Sequence, residues 1–134
     1  MTCMDLEEYK LITEDLKRRK IPPVVKRVVS IILDKKGEKT MVLKLKEVSD
    51  ITDFMVICSG NSSRQNKAIS DEIQRQLRKD YRMKAFSVEG VSNTDWILLD
   101  YIDFVVHIFS PENREKYSLE KLWMDGKRYC FYRD

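Results

Sequence analysis

The chain is poor in the residues that cross-link and punctuate small proteins. Its 134 residues include one histidine, three cysteines, three prolines and four glycines. Cys3, Cys58 and Cys130 are odd in number, widely spaced and without a CxxC pair. That pattern makes neither a disulfide framework nor a zinc knuckle, and thiols left this way are normal in a reducing compartment. The longest apolar run is Phe54 to Cys58, far below the roughly 20 residues that span a bilayer. The first eight residues are acidic, unlike the basic start of a secretory signal or the acid-poor composition of a transit peptide, so the cytoplasm is the expected compartment. A strong charge of one sign is also missing, since 25 Lys and Arg against 22 Asp and Glu leave a net +3. A protein that neutralises a long stretch of phosphates carries a larger basic excess. Nucleic acid is therefore expected as a neighbour and not as the main ligand.

What is present suits one folded domain, at a length in the common range of about 100–150 residues. Hydrophobic residues make up 43% of the chain, enough for a core, and charged residues 35%, a dense polar surface. Leu6, Tyr9, Ile12 and Leu16 recur at spacings of three and four and predict an amphipathic helix over 5–20. Ile21-Pro22-Pro23 breaks it, which separates an N-terminal extension (1–21) from the body (22–124). Pro23 opens a second helix with an apolar stripe at Val25, Val28, Val29, Ile32 and Leu33, expected to end near Lys36-Gly37. Met41, Leu43 and Leu45 alternate with Val42, Lys44 and Lys46, the period of a half-buried strand. The unbroken apolar stretch Phe54–Cys58 predicts a central strand covered on both faces.

Ser62-Ser63-Arg64-Gln65 has the form of a capping box and opens a helix whose Ile69, Ile73 and Leu77 lie on one line. A strand at 85–88 completes an α/β crossover. Residues 96–101 and 104–109 predict two strands joined by a short turn at Ile102-Asp103, and Ser110-Pro111-Glu112 a further helix start, continued or restarted over 118–123. The last ten residues, 125–134, show no clear period and read as a tail. The expected fold class is α/β (α+β): one mixed β-sheet flanked by helices.

Catalytic signals are weak. His107 is the only histidine and sits midway along an apolar strand, where a packed or interface role is the commoner one. No Ser elbow, reactive Cys or second His supports a triad, and Cys58 falls in the buried strand as a small hydrophobe. Ser59-Gly60-Asn61-Ser62-Ser63 lacks GxGxxG and Gly-Lys-Ser/Thr and reads as a capped strand-to-helix turn. Two-metal nucleotidyl transfer needs carboxylates at alternate strand positions, whereas Asp100 and Asp103 are three apart and flank a turn. No metal and no cofactor is expected. Between Arg64 and Lys84 seven cations face three acids, either a solvated helix face or a surface steered weakly toward a polyanion.

The blocks Ile51–Gln65, Val88-Glu89-Gly90, Asp95–Tyr101, Asp103–Phe109 and Tyr117–Trp123, in that order, resemble the ribosomal silencing factor family, also called Iojap. The resemblance runs from about Pro23 to Trp123 and leaves the extension and the tail outside. It implies a fold like that of the nucleotidyltransferase superfamily without the catalytic carboxylates. It also implies a non-enzymatic role: binding the large ribosomal subunit through the ribosomal protein L-fourteen, blocking subunit joining and repressing translation. Organellar relatives assist large-subunit assembly and some members form dimers, so monomer and homodimer both stay open. A nucleotidyltransferase-like enzyme and an assembly factor are the alternatives. On this resemblance the partner-binding residues are Trp96, Leu98, Asp100, Tyr101 and His107, with Tyr117 and Trp123 as second candidates. Arg64, Lys67, Arg75 and Arg78 are the candidate rRNA-facing cations. Strand parity places Trp96, Leu98 and Asp100 on one face and Tyr101 on the other. The family commonly has Gly where this chain has Ile102, so the hairpin turn is expected to be longer or of another type.

Overall fold

Helix α1 (Leu6–Arg18) turns its apolar stripe onto helix α2 (Pro23–Asp34), burying Ile12 and Leu16 and holding Tyr9 against Asp34 through its hydroxyl. The computed structural model describes residues 6–48, 50–90, 95–117 and 126–132. Pro22 sits at φ −55°, ψ 145°, the extended conformation that the following proline imposes, and Pro23 starts α2. The expected Gly termination is shifted by one residue. Lys36, at φ 63°, is the left-handed residue, and Lys36 N–H and Gly37 N–H bond back to Leu33 and Ile32 carbonyls at 3.0 and 2.8 Å, a Schellman arrangement. Gly37 is required for space instead: a Cβ there would lie 2.4 Å from Ile32 Cγ2.

Strand β1 spans Glu38–Lys44 and is followed by β2 (Phe54–Ser59), helix α3 (Ser63–Tyr81), β3 (Ser87–Glu89), β4 (Trp96–Asp100), β5 (Phe104–Phe109), helix α4 (Pro111–Tyr117) and β6 (Lys127–Cys130). The six strands form one sheet in the order β3-β4-β5-β2-β1-β6. Only β2 and β5 are parallel; the other neighbours are antiparallel. The fold is therefore the expected mixed sheet with helices. The expected continuation of a helix over 118–123 lies outside the described residues.

Two expectations are corrected. The end of the chain is not a tail: β6 pairs with β1 through Met41↔Cys130 to Lys44↔Lys127, and Tyr129 and Phe131 enter the core. Four residues are too few to display a period, and two of these, Lys127 and Arg128, are charged, as suits an edge strand. Strand β1 is not half-buried either. Thr40 to Leu43 are all buried, because Val42 packs under the helices while Met41 and Leu43 join a second apolar cluster on the opposite face.

The helices α1, α2 and α3 cover one face of the sheet, over Val42, Val56, Cys58, Ile97, Leu99, Phe104, Val106 and Ile108. The other face carries Met41, Leu43, Met55, Ile57 and Phe109, with Trp96 and Tyr132 packed against them. At the start of α3 Ser62 Oγ accepts from Gln65 N–H at 3.1 Å as expected, while the return bond of the capping box is shifted by one residue, Gln65 Oε1 accepting from Asn61 N–H at 2.5 Å. Gln65 does more than close the box, since its amide also donates to the carbonyls of Lys35 and Lys36 at 3.1 and 3.0 Å and ties the end of α2 to the start of α3.

Candidate functional site

The hairpin β4–β5 brings the sequence candidates together by register. Trp96 pairs with Phe109, Leu98 with His107 and Asp100 with Val105, so these six side chains share one face of the sheet. It is the face away from α1, α2 and α3. Trp96 Nε1–H donates to His107 Nδ1 at 3.0 Å. The Trp96 ring lies 4.9 Å from Phe109 and 5.9 Å from His107, and His107 stacks on Phe109 at 5.8 Å. Trp96, Leu98 and Asp100 remain half-buried, whereas His107 is 7% exposed.

Burial holds the His107 imidazole down to about 4, because removing water penalises the charged ring. The ring is neutral at pH 7, and its acceptor nitrogen is Nδ1, since Trp96 donates there. His107 is thus a fixed support that orients Trp96. The aromatic ring, the Leu98 side chain and the Asp100 carboxylate form a surface that is large, rigid and edged with charge, the mixture that protein interfaces concentrate.

Tyr101 does not join that surface. It follows β4 with the opposite parity, is 5% exposed and stacks on Phe104 at 5.0 Å beneath the helices. Burial raises its hydroxyl pKa, with the Arg78 charge opposing. The turn is also resolved. Tyr101 N–H bonds to Phe104 O at 2.9 Å, and Asp103 N–H bonds to Tyr101 O at 2.9 Å across Ile102, whose φ is 71°. This is a tight γ-type turn of the strained hand, not a longer one, and Asp100 Oδ1 accepts from Ile102 N–H at 2.8 Å. Of the second candidates, Tyr117 is the last residue of α4, and Trp123 lies outside the described residues.

The cations Arg64, Lys67, Arg75 and Arg78 all stand exposed on α3, on the far side of the helix from Ile69 and Ile73. Among the described residues no group of three or more His, Cys, Asp or Glu is placed to hold a metal ion, and no helix is long and apolar enough to cross a membrane. Cys58 is fully buried, and burial pushes its thiol up to about 12, far from a reactive thiolate.

Sequence reasoning missed Arg114. It is 7% exposed on α4 and donates to the Lys39 carbonyl and to Ser59 Oγ, joining α4 to β1 and β2. Lys39 has φ 49° beside a register shift in β1, so the guanidinium serves an irregular backbone carbonyl. Nothing in the spacing of 111–117 marks an arginine whose partners lie 55 and 75 residues away.

Comparison with known proteins gives a consistent result. Residues 18–132 match the model of a family described as ribosomal silencing factor during starvation. The chain is 39% identical over 98 residues to ribosomal silencing factor RsfS of Halalkalibacterium halodurans, covering 73% of this chain and 83% of that protein. It is 32% identical over 101 residues to a Mus musculus protein named mitochondrial assembly of ribosomal large subunit protein 1, covering 72% of this chain but 43% of that one. The fold superposes on a crystal structure of a Chromobacterium violaceum protein with a TM-score of 0.74 and 28% identity, covering 87% and 95% of the two chains. The matched range includes β6, so the similarity extends beyond the expected limit at Trp123.

Proposed function

The chain belongs to the ribosomal silencing factor family, and from that premise we propose that it binds the large ribosomal subunit through the ribosomal protein L-fourteen, blocks joining of the small subunit and so represses translation in the cytoplasm. The observation that carries the reading is the half-buried surface of Trp96, Leu98 and Asp100 on the face opposite α1, α2 and α3, with Trp96 held by His107. A rigid aromatic anchor beside a leucine and a carboxylate suits a protein partner with an apolar pocket and a basic rim. His107 supports Trp96 from beside it on the same face, while Tyr101 packs on Phe104 on the opposite face. The action is steric: a folded domain seated on the joining face occupies volume that the second subunit needs, and no bond is made or broken.

Leu98→Glu tests the reading. Leu98 is half-buried at the centre of the surface, so a charge there is tolerated by the fold but desolvated at an interface. The expected outcome is at least a tenfold loss of binding to purified large subunits, on the order of 1.4 kcal/mol or more, with little change in melting temperature. Wild-type affinity in the folded variant would remove this face from the interface. A second reading, assistance in large-subunit assembly, is favoured by the printed name of the mouse relative. It uses the same surface and differs in acting on precursor subunits.

A further inference from the structure

The chain's positive charge is concentrated in one place. The seven cations and three acids between Arg64 and Lys84 give a local balance of +4 against +3 for the whole, so the rest of the chain sums to −1. Along α3, Asn66, Ile69, Ser70, Ile73 and Leu77 are buried, and the exposed cations follow the opposite side. In the first half of this stripe two of the three cations are compensated. Lys67 pairs with Asp71 at 3.2 Å and Arg75 with Glu72 at 2.7 Å. The hydrogen bond from Arg75, aided by Gln76, holds the Glu72 carboxyl down to about 2.

The second half is different. Arg78, Lys79, Arg82 and Lys84 are exposed and make no ion pair with a described residue. The one acid among them, Asp80, turns to Arg27 at 3.5 Å. Two aromatic rings stand in the same stretch: Tyr81 is 39% and Phe86 74% exposed. The exposure of Phe86 is built into the fold. Arg82 takes a left-handed φ of 53° and Met83 N–H bonds back to Leu77 O at 3.0 Å, which ends the helix, while Phe86 N–H bonds to Asp100 O at 2.7 Å and pins the residue at the sheet edge. A ring fixed there by backbone bonds gains nothing for the isolated fold. Unneutralised cations around an uncovered aromatic match the two surfaces of an unpaired nucleotide, its phosphates and its base face.

We infer that the C-terminal end of α3 and the segment Arg82–Phe86 form a contact for RNA, with Phe86 stacked on an unpaired base and Arg78, Arg82 and Lys84 on neighbouring phosphates. The inference rests on the ribosomal reading for the source of that RNA, the large subunit, and adds a second attachment to it. The Phe86–Asp100 bond places the RNA contact at the edge of the strand that carries Trp96 and Leu98, on the helix side. Both contacts can therefore be made at once.

The test measures binding of the full chain to purified large subunits, and separately to a short single-stranded RNA, across a KCl series. The triple variant R78Q/R82Q/K84Q is expected to lower the slope of log affinity against log salt by about two to three, one phosphate contact per cation. Phe86→Ala is expected to weaken binding about tenfold at every salt concentration with the slope unchanged. All four side chains are exposed, so melting temperatures should stay close to wild type and report any fold damage. Wild-type behaviour of either variant overturns the inference. So does a loss in the triple variant that is the same at all salt concentrations, because removing phosphate contacts must lower the salt slope. If the wild-type chain binds the RNA through these residues but not the large subunit, the ribosomal reading fails and this one stands. If it binds subunits with both variants unaffected, this one fails and the ribosomal reading stands.

Discussion

His107 is chemically conspicuous as the chain's one histidine, yet its surroundings make it a support for a neighbouring side chain. Its ring is buried, accepts a hydrogen bond from Trp96 and is held down to about 4. The unfolded chain takes up a proton near pH 6.5, so between about 6.5 and 4 the unfolded state binds more protons than the folded one. Stability should therefore fall as pH drops through that window and level off below it, by about 3 kcal/mol in all. Urea unfolding of wild type and His107→Asn at several pH values checks this. Carboxylates titrate in both proteins and cancel in the difference, so the difference should be steepest between pH 6.5 and 4 and flat above 7. Ile102 supplies a second case. A β-branched residue at φ 71° stores roughly 1–3 kcal/mol of strain, and its side chain is 58% exposed, so little packing is lost by removing it. Ile102→Gly should stabilise the fold by about 1 kcal/mol in urea melts, even after the extra freedom of glycine in the unfolded chain. A loss of stability would mean that the Ile102 side chain holds the turn by packing.

At the scale of elements, α1 was legible as an amphipathic helix, but its role was not. Spacing alone does not say what an apolar stripe packs on. Here Ile12 and Leu16 complete the core over α2, and Lys26 Nζ donates to the Lys17 carbonyl at 2.8 Å. Removing residues 1–20 should destabilise the domain by on the order of 3 kcal/mol, the scale of two buried aliphatic side chains, and shift its denaturation midpoint downward. Affinity for large subunits should be unchanged, because α1 lies on the helix side of the sheet and Trp96, Leu98 and Asp100 on the other. Loss of binding in the folded truncated protein would place α1 in the interface. Strand β6 is the opposite case, an element invisible in the sequence and plain in the structure. Its four residues pair with β1 and carry Tyr129 inward, while Arg19 lies over the Tyr129 ring at 5.6 Å. Arg19, just past α1, thus meets β6 at one edge of the sheet.

At the scale of the whole molecule, the proposed action depends on concentration and not on turnover. A factor that binds the free large subunit and not the joined particle shifts the joining equilibrium by RT ln(1 + [L]/Kd). At ten times the dissociation constant this is a roughly elevenfold reduction in joining, about 1.4 kcal/mol. Light scattering of subunit joining against factor concentration should follow that curve and reverse on dilution. Inhibition that persists after dilution would point to a covalent or catalytic action instead. The near balance of charge fits the same picture. An excess concentrated over residues 64–84 can orient the molecule toward phosphates while the rest of the surface avoids them.

Periodicity by itself determined most of the elements, because a 3.6-residue or two-residue repeat is written locally and survives without knowledge of partners. It placed α1, α2, α3, β2, β4 and β5 within a few residues of their bounds and put Trp96, Leu98 and Asp100 on one face. The lack of alternating carboxylates also argued against metal catalysis before any fold was known. Only the tertiary structure decided what lay across the sheet. It buried both faces of β1, turned His107 from a candidate partner contact into the support of Trp96, and brought Arg114 to a carbonyl 75 positions away. It also left Phe86 uncovered at an edge. Burial and long-range pairing depend on which strands become neighbours, and the order β3-β4-β5-β2-β1-β6 is settled by the packing of the whole chain, not by any one stretch of it.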